Sequence, residues 1–150
     1  MKIRYYLFLI FVLIILACDV TSAEDYNEAK IKEILKDIEL SFNLHDLDSI
    51  MENYNLNYRY IKDGYAENFD DVREKWDARL LEYDSIEIRE IEINQSGDFW
   101  VTVTCELVLI ADGSEIVVSE PSEENGDISY FYKSAQTGWQ ICGKDFSFID

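Results

Sequence analysis

The chain has 150 residues, a length that fits one domain with its own hydrophobic core and requires no disulfide framework. Its 31 acidic residues against 13 basic ones give a net charge of −18, which lacks the basic footprint of a nucleic-acid binder and repels anionic lipid headgroups. Apolar residues make up 48% and aromatic residues 14%, a composition that excludes a disordered chain.

The first predicted element is an export signal. Lys2 and Arg4 precede an unbroken apolar run from Tyr5 to Ala17, the pattern of a secretory leader. As a helix the run would span about 20 Å, too short for a bilayer core of about 30 Å. Its end, Ile14-Ile15-Leu16-Ala17-Cys18, resembles the bacterial lipobox, in which a small residue precedes a cysteine that takes a thioether-linked diacylglycerol and becomes the new N-terminus. Ala17 and Cys18 fit that pattern, Ile15 replaces the commoner leucine, and Leu16 is bulky for its place. The resemblance implies removal of residues 1–17, lipidation of Cys18, a polar tether over residues 18–25 and a domain over residues 26–150. It implies an exported protein held in the bacterial cell envelope, touching the membrane through its lipid anchor only. Two or more acyl chains hold stably where one does not.

Ile31, Ile34, Leu35, Ile38 and Phe42 follow the i, i+3, i+4, i+7, i+11 template of an amphipathic helix, with Lys30, Lys32, Glu33, Lys36 and Asp37 on the opposite face. A break at Asn43-Leu44-His45-Asp46 precedes a short second helix, capped by Asp46 or Asp48 and running to about Tyr54. Asn57 to Ile61 reads as a strand, Asp63-Gly64 as a turn, and Gly64 to Glu67 as a short return strand. Asp70 or Asp71 is expected to cap a third helix, Glu74 completing a capping-box pattern, with the stripe Val72, Trp76, Leu80 and Tyr83.

The remainder is β-rich. Ile86 and Ile88 alternate, as do Ile91 and Ile93, but the two pairs are out of phase, so one extra residue near Arg89-Glu90 is expected as a β-bulge. After a turn at Gly97-Asp98, the set Phe99, Val101, Val103, Cys105, Leu107 and Leu109 keeps an unbroken period of two. The alternate set, Trp100, Thr102, Thr104, Glu106, Val108 and Ile110, is mixed, and as a semi-apolar outer face it predicts a weak homodimer. Asp112-Gly113 signals a hairpin into Ile116–Val118. An acidic loop, Glu120 to Asp127, precedes strands at Ile128–Lys133 and from Trp139 to about Phe148, joined by a turn at Gly138.

This order, with the helix into Leu44-His45-Asp46-Leu47-Asp48-Ser49-Ile50, the Tyr54 to Gly64 hairpin, the Phe69 to Tyr83 helix and the closing Gly138-Trp139-Gln140-Ile141, resembles the NTF2-like superfamily, which includes SnoaL-type and ketosteroid-isomerase-type proteins. The resemblance covers about residues 28–148. It implies an α+β cone, N-terminal helices packed on a curved, mainly antiparallel sheet. Isomerase-like members do acid–base work with a cavity carboxylate and tyrosine, but no such set maps residue by residue onto this chain.

Tyr54, Tyr58, Tyr60, Trp76, Tyr130 and Trp139 are the ligand-pocket candidates, on elements that would line or back a cavity. Large rings also simply fill cores. His45, the lone histidine, lies in a polar break where a capping or surface role is commoner. The carboxylates of Glu120, Glu123, Glu124 and Asp127 lack an EF-hand spacing and read as a solvated loop. No metal site, cofactor or catalytic residue is expected. Cys105 and Cys142 are expected as thiols, because two strand spacings of about 9.6 Å exceed the Cα separation of about 7 Å that a disulfide allows. The leading functional expectation is a non-enzymatic, lipid-anchored domain binding a small apolar ligand or a protein partner. The alternatives are an isomerase or hydratase using a cavity Tyr and Asp or Glu, and an acidic inhibitor or immunity-type protein for a basic partner.

Overall fold

The structure, a computed structural model, describes residues 23–62, 65–95, 98–117 and 128–143. The leader, Cys18, the Asp63-Gly64 turn, the Glu120–Asp127 loop and the chain after Gly143 lie outside the described residues. Among the described residues no helix is long and apolar enough to cross a membrane.

The first helix, α1, spans Ala23–Asn43. Ile31, Leu35, Ile38 and Phe42 of its stripe are buried and Ile34 packs beside them. The stripe extends one step further back, to buried Asn27. On the solvent face Lys30–Glu33, Lys32–Glu28 and Lys36–Glu39 form ion pairs. Pairs at this spacing are each worth about 0.2–0.5 kcal/mol. The helix ends in a Schellman pair: His45 N donates to Phe42 O at 2.8 Å and Asp46 N to Ser41 O at 2.9 Å, with His45 at φ 58°. The lone histidine therefore occupies the exposed, left-handed position that stops α1. Asp46 then caps α2, Leu47–Glu52, accepting from Ser49 N at 3.1 Å.

Strand β1 covers Tyr54–Lys62, starting earlier than expected, and β2 covers Tyr65–Asn68. Helix α3 spans Phe69–Glu82 and its cap is Asn68, not Asp70 or Asp71. Asn68 Oδ1 accepts from Asp70 N and Asp71 N, while Asp71 Oδ2 accepts from Asn68 N. The capping box is real but sits three residues upstream, so that Phe69 begins the helix and packs against the core.

Five strands follow: β3 Ser85–Gln95, β4 Trp100–Ala111, β5 Ser114–Val117, β6 Ile128–Ser134 and β7 Gly138–Gly143. The sheet order is β2-β1-β7-β6-β4-β3, with β5 also paired to β4. Every pairing is antiparallel except β1 with β7. The predicted bulge is present. Between the pairs Arg89↔Glu106 and Glu92↔Thr104, β3 advances three residues while β4 advances two, and Glu90 takes φ 48°. This rephasing puts Ile86, Ile88, Ile91 and Ile93 on one core-facing side. β3 is an edge strand, and α1 covers part of that edge: Ile86 N donates to Asn43 Oδ1 and Ile88 N to Glu39 Oε2.

Val101, Val103, Leu107 and Leu109 pack into the core as their phase predicts. Phe99 does not: it lies just outside β4 and is 62% exposed, although its carbonyl accepts from Lys133 N. On the alternate face Thr104 and Val108 are buried, and Trp100, Thr102, Glu106 and Ile110 are half-buried. Asp112 (φ 51°) and Gly113 (φ 73°) make the β4–β5 hairpin turn. Cys105 and Cys142 are thiols on β4 and β7, with β6 between them, the order that underlies their expected separation.

Candidate functional site

Helix α3 lays its buried face over β1 and β2, and a polar cluster forms where they meet. Trp76, 5% exposed, packs edge-on against Phe42 with centroids 5.8 Å apart. Its Nε1 donates to the Tyr54 hydroxyl at 3.0 Å. The Tyr54 and Tyr58 rings meet at 5.7 Å, and the Tyr58 hydroxyl donates to Glu67 Oε1 at 3.2 Å. Glu67, from β2, is buried and its second oxygen pairs with Lys75 of α3. Arg79, one turn beyond Lys75, places its guanidinium 5.0 Å from the centre of the Trp76 ring.

Three of the six pocket candidates, Tyr54, Tyr58 and Trp76, therefore come together. Tyr60 pairs with Glu67 in the β1–β2 ladder and is half-buried. Tyr130 pairs with Thr102, while Phe131 next to it pairs with Val101 and lies in the core. Tyr130 so belongs to the strand parity of the alternate β4 face; its side chain lies outside the described residues. Trp139 stands with a different set of elements. Its Nε1 donates to Asn27 Oδ1 at 3.3 Å, Lys133 Nζ reaches the same oxygen at 3.2 Å, and that ammonium lies 5.7 Å from the indole centre. Beside it, between α1 and the β6–β7 turn, runs a groove of about 340 Å³ lined by Lys30, Glu33, Asp37, Lys133, Thr137 and Trp139 among others. Sequence reasoning missed Glu67, Lys75 and Arg79. Among the described residues no group of three or more His, Cys, Asp and Glu side chains is arranged to hold a metal ion.

Burial dominates the electrostatics of the cluster. It pushes the Tyr54 hydroxyl up to about 12, against smaller opposing effects from the Trp76 hydrogen bond and the Arg79 charge. It also raises Tyr58 well above the ordinary tyrosine value, with the Tyr54 and Glu67 charges adding to the shift. Burial lowers Arg79, countered by Tyr54, Glu67 and Tyr83. At neutral pH both phenols are protonated.

These shifts set an alkaline limit on stability. A tyrosine whose folded pKa lies above its unfolded value of 10 is protonated in both states at lower pH, so its contribution is fully present there. Between about pH 10 and 12 the unfolded chain releases the proton first, and that contribution disappears. Cys142, raised by burial to about 12 from 9, acts in the same direction from a lower starting point. Denaturant midpoints should therefore hold up to about pH 9 and fall steeply above it, Tyr54 alone removing on the order of 2–3 kcal/mol. Tyr54→Phe should flatten the decline. A midpoint independent of pH across this window would contradict the burial of these hydroxyls.

No protein-family profile matches the sequence, and no curated protein matches it. Solved structures do. An NTF2-like protein of unknown function from Shewanella oneidensis superposes with a TM-score of 0.60 at 20% identity, over 77% of this chain and 94% of that one. A candidate scytalone dehydratase from Novosphingobium aromaticivorans gives 0.56 at 8% identity, over 83% and 85% of the two chains. A candidate ketosteroid isomerase from Parabacteroides distasonis gives 0.54 at 14% identity, over 75% and 80%. At these identities the likeness shows an NTF2-like fold, with helices on a mixed, curved sheet.

Proposed function

We propose that this chain is a lipid-anchored, NTF2-like binding domain of the bacterial cell envelope, and that its cluster of Tyr54, Tyr58, Glu67, Trp76 and Arg79 seats a small, flat, mainly apolar molecule. The observation that carries the proposal is the convergence of two phenols, an indole N–H, a carboxylate and a guanidinium from three elements on a largely apolar interior. Ligand sites commonly combine an apolar lining with a few fixed polar groups of this kind. The test is to extract the full chain gently from membranes of its native host and identify small molecules that leave with it on denaturation. The ligand should accompany the native chain and be lost from Tyr58→Phe and Glu67→Gln variants that remain folded. Identical extracts from all three would contradict the assignment.

A second reading, an isomerase or hydratase, draws on the contact of the Tyr58 hydroxyl with Glu67 and on the fold shared with candidate enzymes of both kinds. Against it, Glu67 is held by Lys75 as well as by Tyr58, which engages both oxygens of the prospective base. Chemical conversion of the extracted molecule by the chain, abolished by Glu67→Gln, would favour the enzyme.

The anchoring half of the proposal rests on the leader and on Cys18. Cys18→Ser should accumulate as an unprocessed precursor without thioether-linked lipid, seen as a larger polypeptide by mass spectrometry. A Cys18→Ser chain still cleaved to its normal length and still released only by detergent would contradict lipidation at Cys18.

A further inference from the structure

We infer that the molecule seated by this cluster carries an anionic oxygen group, a carboxylate on a flat apolar body, held by the Arg79 guanidinium together with the Tyr54 hydroxyl. The inference rests on the interior site proposed above and names its ligand class.

Donors outnumber acceptors in the cluster. Arg73 pairs with Asp48, and Arg89 pairs with Glu87 and Glu115. Arg79 is half-buried, yet it pairs with no carboxylate among the described residues, in a chain with 31 acidic side chains. A guanidinium presents five N–H donors and no acceptor. The acid whose charge reaches Arg79 is Glu67, and both its oxygens are engaged, by Tyr58 and by Lys75. The Tyr54 oxygen accepts from Trp76, and the hydroxyl proton has no acceptor among the described residues. Arg79 and Tyr54 both touch the Trp76 indole, one over its ring and the other at its N–H. Two donors lacking acceptors thus stand on one aromatic platform. A planar fork plus a phenol proton matches the in-plane oxygens of a carboxylate. The half-buried rings of Tyr54 and Tyr58 offer aromatic surface to the body of such a molecule, with the buried rings of Trp76 and Phe42 packed behind them. The net charge of −18 opposes any anion at long range, so salt should speed its arrival while leaving the short-range contact to Arg79 largely intact.

The experiment compares naphthoate with neutral naphthamide by calorimetry, using the full chain in phosphatidylcholine nanodiscs with empty discs subtracted. Naphthoate should bind at least about tenfold more tightly than the amide. Arg79→Gln should abolish the preference, naphthoate and the amide then binding that variant equally, and Arg79→Lys should retain part of it. Equal binding of the two probes by the native chain would overturn the carboxylate inference while the interior site stands. Binding of neither would overturn both. The probe ratio is measured on the native chain and so needs no variant to fold.

Discussion

Trp76→Ala should destabilise the fold by about 3–5 kcal/mol, as expected for loss of a buried large aromatic. The size follows from its surroundings. The indole is 5% exposed, lies edge-on against Phe42, donates to Tyr54 and supports Arg79. Removing it opens space between α1, α3 and β1 and leaves the Tyr54 hydroxyl without its donor. Since domain stabilities run to about 5–15 kcal/mol, the loss should appear as a large drop in the denaturant midpoint. Trp76→Phe keeps most of the ring and should cost less. A loss under about 1 kcal/mol for the alanine variant would contradict the packing of the indole against Phe42.

Gly143→Ala should be as damaging for a different reason. Gly143 sits at φ +83° where β7 runs parallel to β1, paired with Arg59. A Cβ there would lie 2.2 Å from the Arg59 carbonyl oxygen and 2.6 Å from its carbon, so backbone would have to move. The left-handed conformation and the overpacking together should cost roughly 2–5 kcal/mol. Gly138 supplies the control: it has φ +74° and nothing within 4 Å of an added Cβ. Gly138→Ala should show only the conformational cost of about 1–2 kcal/mol. Equal losses at the two sites, measured by chemical denaturation, would show that the β1–β7 junction tolerates displacement.

The parts of the fold that followed from local pattern were readable before the structure. The stripe from Ile31 to Phe42 and the phase break between Ile88 and Ile91 depend only on helical and strand periods, and both are present. The α3 cap was misplaced because Asn68, Asp70 and Asp71 are all capping residues; packing of Phe69 against the core selects among them. Phe99 kept the right parity but fell beyond the start of β4, where strand alternation no longer constrains its ring.

The site divided along similar lines. Tyr54, Tyr58 and Trp76 were found as large aromatics on converging elements. Arg79 was not, because the spacing Val72, Trp76, Leu80, Tyr83 accounts for the helix face without it. The spacing Val72, Trp76, Arg79, Tyr83 satisfies the same helical steps, and a cation on that face was the available hint. Glu67 had no such signal, since its burial depends on the β1–β2 register and on Lys75 across from it. Trp139 answers to Asn27 on α1, a contact across 112 residues of sequence that no local pattern encodes.

The chain has three tryptophans, and Trp76 and Trp139 mark the two candidate regions, the interior cluster and the α1 groove. Indole N–H resonances of the nitrogen-labelled chain, assigned by single Trp→Phe variants, can be followed as naphthoate is added. If the interior cluster is the binding site, the Trp76 signal shifts with saturation, the Trp139 signal stays in place, and Arg79→Gln suppresses the response. A shift at Trp139 with none at Trp76 would move the site to the groove, and no response at any of the three would contradict a site for such ligands in this domain.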